Sequence, residues 1–147
     1  MPTRGRPVVR VVLLDDVSGT PMLETAEEIP TRDVDIPEQL FQVGRSVESR
    51  LRGLRADRVV VRRADVPRRA SKKEGPRLRL LIEGATVSAA RSAVTDTHLG
   101  MGRDVAHWHG SKKDALDTDS KQMLTAAGEH AKYAEALSAA RAGFVLP

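Results

Sequence analysis

The chain has 147 residues, 24 basic against 20 acidic side chains, and no cysteine. That length suits one domain, here expected to run over residues 1–147, and 40% hydrophobic with 30% charged residues exclude a disordered or fibrous chain. The lack of cysteine excludes disulfide frameworks and thiolate metal sites, and four aromatics (Phe41, Trp108, Tyr133, Phe144) are too few for a base-stacking platform.

Residues 8–14 are β-branched and apolar apart from Arg10, and they read as a strand. The run is too short and too broken for a signal peptide or a membrane span, so the expected compartment is the cytoplasm with no membrane partner. Ser18-Gly19-Thr20-Pro21 is a turn signal, and residues 22–29 alternate as a return strand, closing a hairpin. Asp35 and Pro37 mark a helix start. Leu40, Gly44, Val47, Leu51 and Leu54, widened by Phe41, give that helix an apolar stripe, with Glu48 and Arg52 as an i,i+4 pair outside.

Residues 57–61 then read as a buried central strand. Residues 62–76, with two prolines and Ser71-Lys72-Lys73-Glu74-Gly75, read as an exposed basic loop. A helix is expected over 77–95, with Gly100-Met101-Gly102 as the turn that ends it. Residues 104–109 read as a strand, and residues 120–141 as an Ala-rich helix capped by Asp117-Thr118-Asp119-Ser120 and interrupted at Gly128.

Charge is unevenly spread. Residues 1–44 carry a net −4, residues 45–79 a net +9, and residues 80–147 a net −1. A dense cationic block attracts phosphate backbones, and it is equally the composition of a solvated face. Arg62, Arg63, Arg68, Arg69, Lys72 and Lys73 are the candidate phosphate contacts. Lys112 and Lys113, beside Ser111 near a helix start, are weaker candidates that read more simply as an exposed loop.

His107-Trp108-His109, in a strand, would turn both imidazoles to one side, where Asp104 or His98 would complete a metal site. The pattern lacks a matching ligand pair, so structural or surface histidines are expected, with Trp108 facing the core and no resident metal. There is no Gly-rich phosphate loop and no nucleophile elbow in the sequence.

Asp35-Ile36-Pro37, residues 55–61, Leu80-Leu81-Ile82-Glu83-Gly84-Ala85 and residues 133–140 follow a pattern that resembles the RNase H-like superfamily, in its RuvC-type Holliday-junction resolvase branch. The resemblance implies an α/β fold, a mixed sheet flanked by helices. The hairpin would match the second and third strands, so the first strand and its acid are missing. Family members cut nucleic acid with two divalent ions held by converging carboxylates. The second acid of that set falls here on Arg62 or Arg63, and a guanidinium repels cations. The third falls on Glu135.

The resemblance therefore implies a non-catalytic module that binds nucleic-acid backbone or scaffolds a nucleic-acid-processing assembly, as a homodimer or within a larger complex. A divergent nuclease would instead draw on Asp15, Asp16, Asp65, Glu83 and Glu135 with Mg²⁺ or Mn²⁺. A third possibility is a protein–protein interaction subunit with no nucleic-acid affinity.

Overall fold

The computed structural model describes residues 7–63 and 74–147, the latter with side chains from residue 77 onward. The β-branched run forms β1 (Val8–Val17), which pairs antiparallel with β2 (Thr20–Pro30). Ser18 and Gly19 both take positive φ, at 56° and 84°, the geometry of a tight two-residue hairpin turn. The Asp16 carboxylate accepts the Gly19 N–H at 2.7 Å and holds that turn. A bulge between Leu13 and Leu14 shifts the register.

Helix α1 (Ile36–Leu54) begins where the Asp35 side chain accepts the Glu38 N–H and Pro37 fixes the first turn. It ends at Arg55, in the left-handed conformation. Its buried side is Gln39, Val43, Val47 and Leu51, rotated from the expected stripe. Phe41 is 57% exposed beneath the Arg45 guanidinium, 5.7 Å from the ring centre.

Strand β3 (Val59–Arg62) follows, then α2 (Glu74–Ala93), which starts earlier than expected and packs against α1. A strand not foreseen from the sequence, β4 (Thr97–Gly100), lies parallel to β3 with Val59 opposite Thr97. The glycines at 100 and 102 therefore separate a strand from a helix rather than ending one. Residues 104–109 are helical, as part of α3 (Gly102–His109), and not a strand. Gly102, Val105 and Ala106 are its buried positions, and the Asp104 carboxylate accepts the Met101 N–H at its start.

Helix α4 (Lys113–Ala126) begins seven residues ahead of the expected start, so Asp117 to Ser120 lie inside it rather than capping it. The expected break at Gly128 is present, with φ of 78°. A 3₁₀ turn (Ala131–Tyr133) leads into α5 (Ala134–Val145). Antiparallel and parallel pairing are thus both present, as two two-stranded sheets flanked by helices among the described residues. Helix α5 packs on both β1 and β3 and bridges them. One apolar cluster, around Val43, Val47 and Ile82, lies between α1 and α2. A second, around Val105 and Ala142, takes in Trp108, which is half-buried against it as expected.

Candidate functional site

The end of β3 delivers Arg62 to the N-terminal ends of α4 and α5. Its guanidinium donates to both carboxylate oxygens of Asp117, at 2.7 and 3.0 Å, and its side chain is only 7% exposed. Glu135, at the start of α5, lies 3.9 Å from the same guanidinium but is 72% exposed. Behind this pair the Ser138 hydroxyl donates to Asp117 at 2.8 Å and sits 3.0 Å from the Ser120 hydroxyl, both serines fully buried. Arg141 donates to Ser120 at 3.1 Å and pairs with Asp119 at 2.8 Å.

Burial would by itself raise the Asp117 pKa. Hydrogen bonds from Arg62 and Ser138, with the charges of Arg62 and Lys113, outweigh it and hold the carboxyl below its usual range. Asp117 is therefore an anion whose counterion is a fixed guanidinium. A divalent ion would have to displace Arg62 to reach it, and an incoming cation is repelled by the one already there. Among the described residues no three His, Asp or Glu side chains come together as a metal cluster. The described residues do not fit the two-metal centre that the resemblance implies.

The other expected acids that are described come from three different elements. Asp15 and Asp16 are exposed at the far end of β1, with Asp16 occupied by the hairpin turn. Glu83, on α2, accepts from Arg63 at 2.9 Å. Asp15, Asp16, Glu83 and Glu135 line one cavity but form no group of three that could hold a metal, and Asp65 lies outside the described residues. Among the phosphate candidates, Arg62 has its guanidinium on Asp117 and a side chain only 7% exposed. Arg63 is exposed but engaged with Glu83. Arg68, Arg69, Lys72 and Lys73 lie outside the described residues. Lys112 is exposed immediately before α4, and Lys113 opens that helix.

Much of the cationic block is internally paired. Arg50 binds Glu27, Arg52 binds Glu48, and Arg58 binds Asp96 at 2.7 Å while also donating to the Gly143 and Leu146 carbonyls. The histidines do not gather. In a helix, positions two apart face away from each other, so His107 and His109 diverge. His109 meets the Ser111 hydroxyl at 2.7 Å, and His98 pairs with Asp96 at 2.7 Å and meets the Trp108 ring edge-on, with centroids 6.1 Å apart.

Asp117, Ser120, Ser138 and Arg141 escaped the sequence reading. Their signal was present as polar residues three apart on two helices that are otherwise Ala- and Leu-rich on the same side. No helix among the described residues is long and apolar enough to cross a membrane.

No family model matches the chain, and no curated protein matches its sequence. Among solved structures it is similar to the Thermus thermophilus RuvC structure, with a TM-score of 0.65 and 18% identity, over 92% of this chain and 84% of that one. The chain has a RuvC-like α/β fold.

Proposed function

We propose that this chain is a non-catalytic RuvC-like module that contacts nucleic-acid backbone or scaffolds an assembly that does. The observation that carries the reading is the Arg62 guanidinium, bonded to both oxygens of Asp117 with Glu135 beside it. A two-metal hydrolytic centre needs carboxylates whose charge is balanced by the ions. Here a covalently attached guanidinium answers Asp117 and repels a further cation, while Glu135 stays exposed to solvent. Among the described residues the acids of the nuclease alternative line one cavity but form no group of three that could hold a metal, which favours the module over it.

Attraction to phosphate is proposed for Arg68, Arg69, Lys72, Lys73 and Lys112, with Arg63 at the edge. Four of these enter by their charge in the sequence alone. A cytoplasmic setting and a homodimeric or larger assembly belong to the same proposal.

The test is binding of labelled branched DNA, duplex DNA and RNA at two salt concentrations, with Mg²⁺ or Mn²⁺ present and products resolved on a denaturing gel. Binding that weakens with salt, without cleavage, is the expected result. Metal-dependent cleavage that Glu135→Gln abolishes would overturn the reading in favour of a nuclease. Absence of binding at low salt would overturn it in favour of a protein-interaction subunit.

A further inference from the structure

Strands β1 and β3 each have one hydrogen-bonded strand neighbour, β2 and β4 respectively, among the described residues. Their other edges face one shared cavity of about 760 Å³, lined by residues 8–16 of β1 and by all of β3. Ala136, Ala140 and Gly143 of α5 line it on one side, and Leu51 and Ile82 of α1 and α2 on the other. The walls are thus two strand edges, and the floor and roof are helices. The small side chains of Ala136 and Ala140 leave room for those of another element, while Val60 already fills the space beside Gly143.

The strand residues themselves report an unfinished burial. Val59, Val60 and Val61 are a continuous β-branched run, the composition of a strand covered on both faces. Each is only half-buried, as are Val9, Val11 and Val12 across the cavity. An unpaired strand edge also leaves backbone N–H and C=O groups without ladder partners, and another strand satisfies both needs at once.

The dimensions agree. A strand residue occupies about 3.3 Å along the chain, 4.8 Å between strands and 10 Å through the layer, about 160 Å³, so the cavity holds about five residues. Lys132, just before α5, binds Glu28, which stands opposite Arg10 near the start of β1. Arg62, at the end of β3, lies 3.9 Å from Glu135 at the start of α5. The start of β1 and the end of β3 therefore share one end of the slot, and the two edges run in opposite senses. A strand between them is antiparallel to one and parallel to the other.

We propose that this slot takes one apolar β-strand of about five residues from polypeptide outside these 147 residues, bonded to β1 and β3 together. Residues 1–6 (Met-Pro-Thr-Arg-Gly-Arg) and 64–73 (Ala-Asp-Val-Pro-Arg-Arg-Ala-Ser-Lys-Lys) contain no run of three apolar residues to set against the valines of β1 and β3. The occupant is a Val-, Ile- or Thr-rich segment, without charge in its centre, recognised by strand addition. The inference stands apart from nucleic-acid binding and survives its failure.

The test is amide hydrogen exchange on the full chain, with a panel of lysine-flanked peptides whose central five to seven residues are Val, Ile and Thr in varied order. A peptide at about ten times its Kd should slow exchange about tenfold in both residues 8–14 and residues 59–62. N-methylation of alternate peptide residues should remove the protection, and so should Ala140→Trp, which fills the slot while far-ultraviolet circular dichroism confirms the fold. If every peptide leaves β3 unprotected, or protects one edge alone, the proposal is overturned. It is overturned equally if the chain by itself protects both edges through self-association, since the occupant is then a second copy.

Discussion

Replacing Asp117 with Ala removes two carboxylate acceptors from a guanidinium that is 7% exposed. Breaking a buried ion pair from one side costs about 3–5 kcal/mol, because the remaining charge stays desolvated and uncompensated. Two features place Asp117→Ala at or just below the low end of that range. Asp117 is itself 25% exposed, so water can enter through the gap, and Glu135 remains 3.9 Å away as a weak counterion. The Ser138 hydroxyl keeps Ser120 as a partner at 3.0 Å and adds little. The expected loss is about 2–3 kcal/mol, or about 6–12 °C in melting midpoint for a chain of this size.

Urea titration followed by circular dichroism measures it, with two companions. Glu135→Gln should cost less than about 1 kcal/mol, as an exposed partner at long range. The double change Arg62→Met with Asp117→Leu should recover most of the loss, because an apolar pair carries no desolvation cost. The pH dependence carries the same sign. The Asp117 pKa is held below its ordinary 3.8, so its contribution is complete above that pH and is lost as pH falls through the folded value. Stability of the parent chain should accordingly fall more steeply below pH 3.8 than that of Asp117→Ala. A loss under about 1 kcal/mol, or an equal loss from Glu135→Gln, refutes the account of Arg62 as a captive counterion.

Other outcomes follow from the same packing. A Cβ at residue 102 would come 2.6 Å from Arg62 Nη2 and 2.7 Å from Lys113 Cε, so Gly102→Ala should cost about 1–3 kcal/mol by urea titration. At residue 100 a Cβ would meet Trp108 Cη2 at 2.6 Å, so Gly100→Ala should shift the emission of the single tryptophan as well as lower stability. Burial first, and then the charge of Arg141, hold the His109 pKa below its ordinary 6.5 against the pull of Asp119. Its contribution is complete above pH 6.5 and lost as pH falls through the folded value, so His109→Gln should flatten the stability profile below pH 6.5 in thermal melts.

The hairpin, the first helix and the third strand were legible because each has a local cause: β-branched alternation, the Asp35 cap with Pro37, and an apolar run after a helix stop. Strand β4 was not, since Thr97-His98-Leu99-Gly100 is four residues with no alternation, and its existence depends on the partner edge of β3. Residues 104–109 misled through the His-x-His spacing, which reads as a strand only if the buried trio Gly102, Val105 and Ala106 at helical spacing goes unnoticed.

The pairing within the charge block was illegible for a different reason, one that applies to any charge block read from sequence. Counting along residues 45–79 finds a net +9, but the acids that answer it come from elsewhere: Glu27 for Arg50, Asp96 for Arg58, Asp117 for Arg62 and Glu83 for Arg63. Those pairs are 20 to 55 residues apart, which no local window spans. A cationic stretch that threads a strand through the middle of a fold is therefore an upper bound on the field it presents, because its inward arginines meet carboxylates on the helices packed against it. The same logic explains why Asp117 was read as a cap. Asp-Thr-Asp-Ser is a common opening for a helix, but with α4 already under way at Lys113 its first and last members lie one turn apart on the inner face. There they meet Ser138 and Arg141 at the same interval on α5. Two polar steps of three residues on two apolar helices can be buried only if they face each other, and an arginine ending a neighbouring strand is the group that closes such a network.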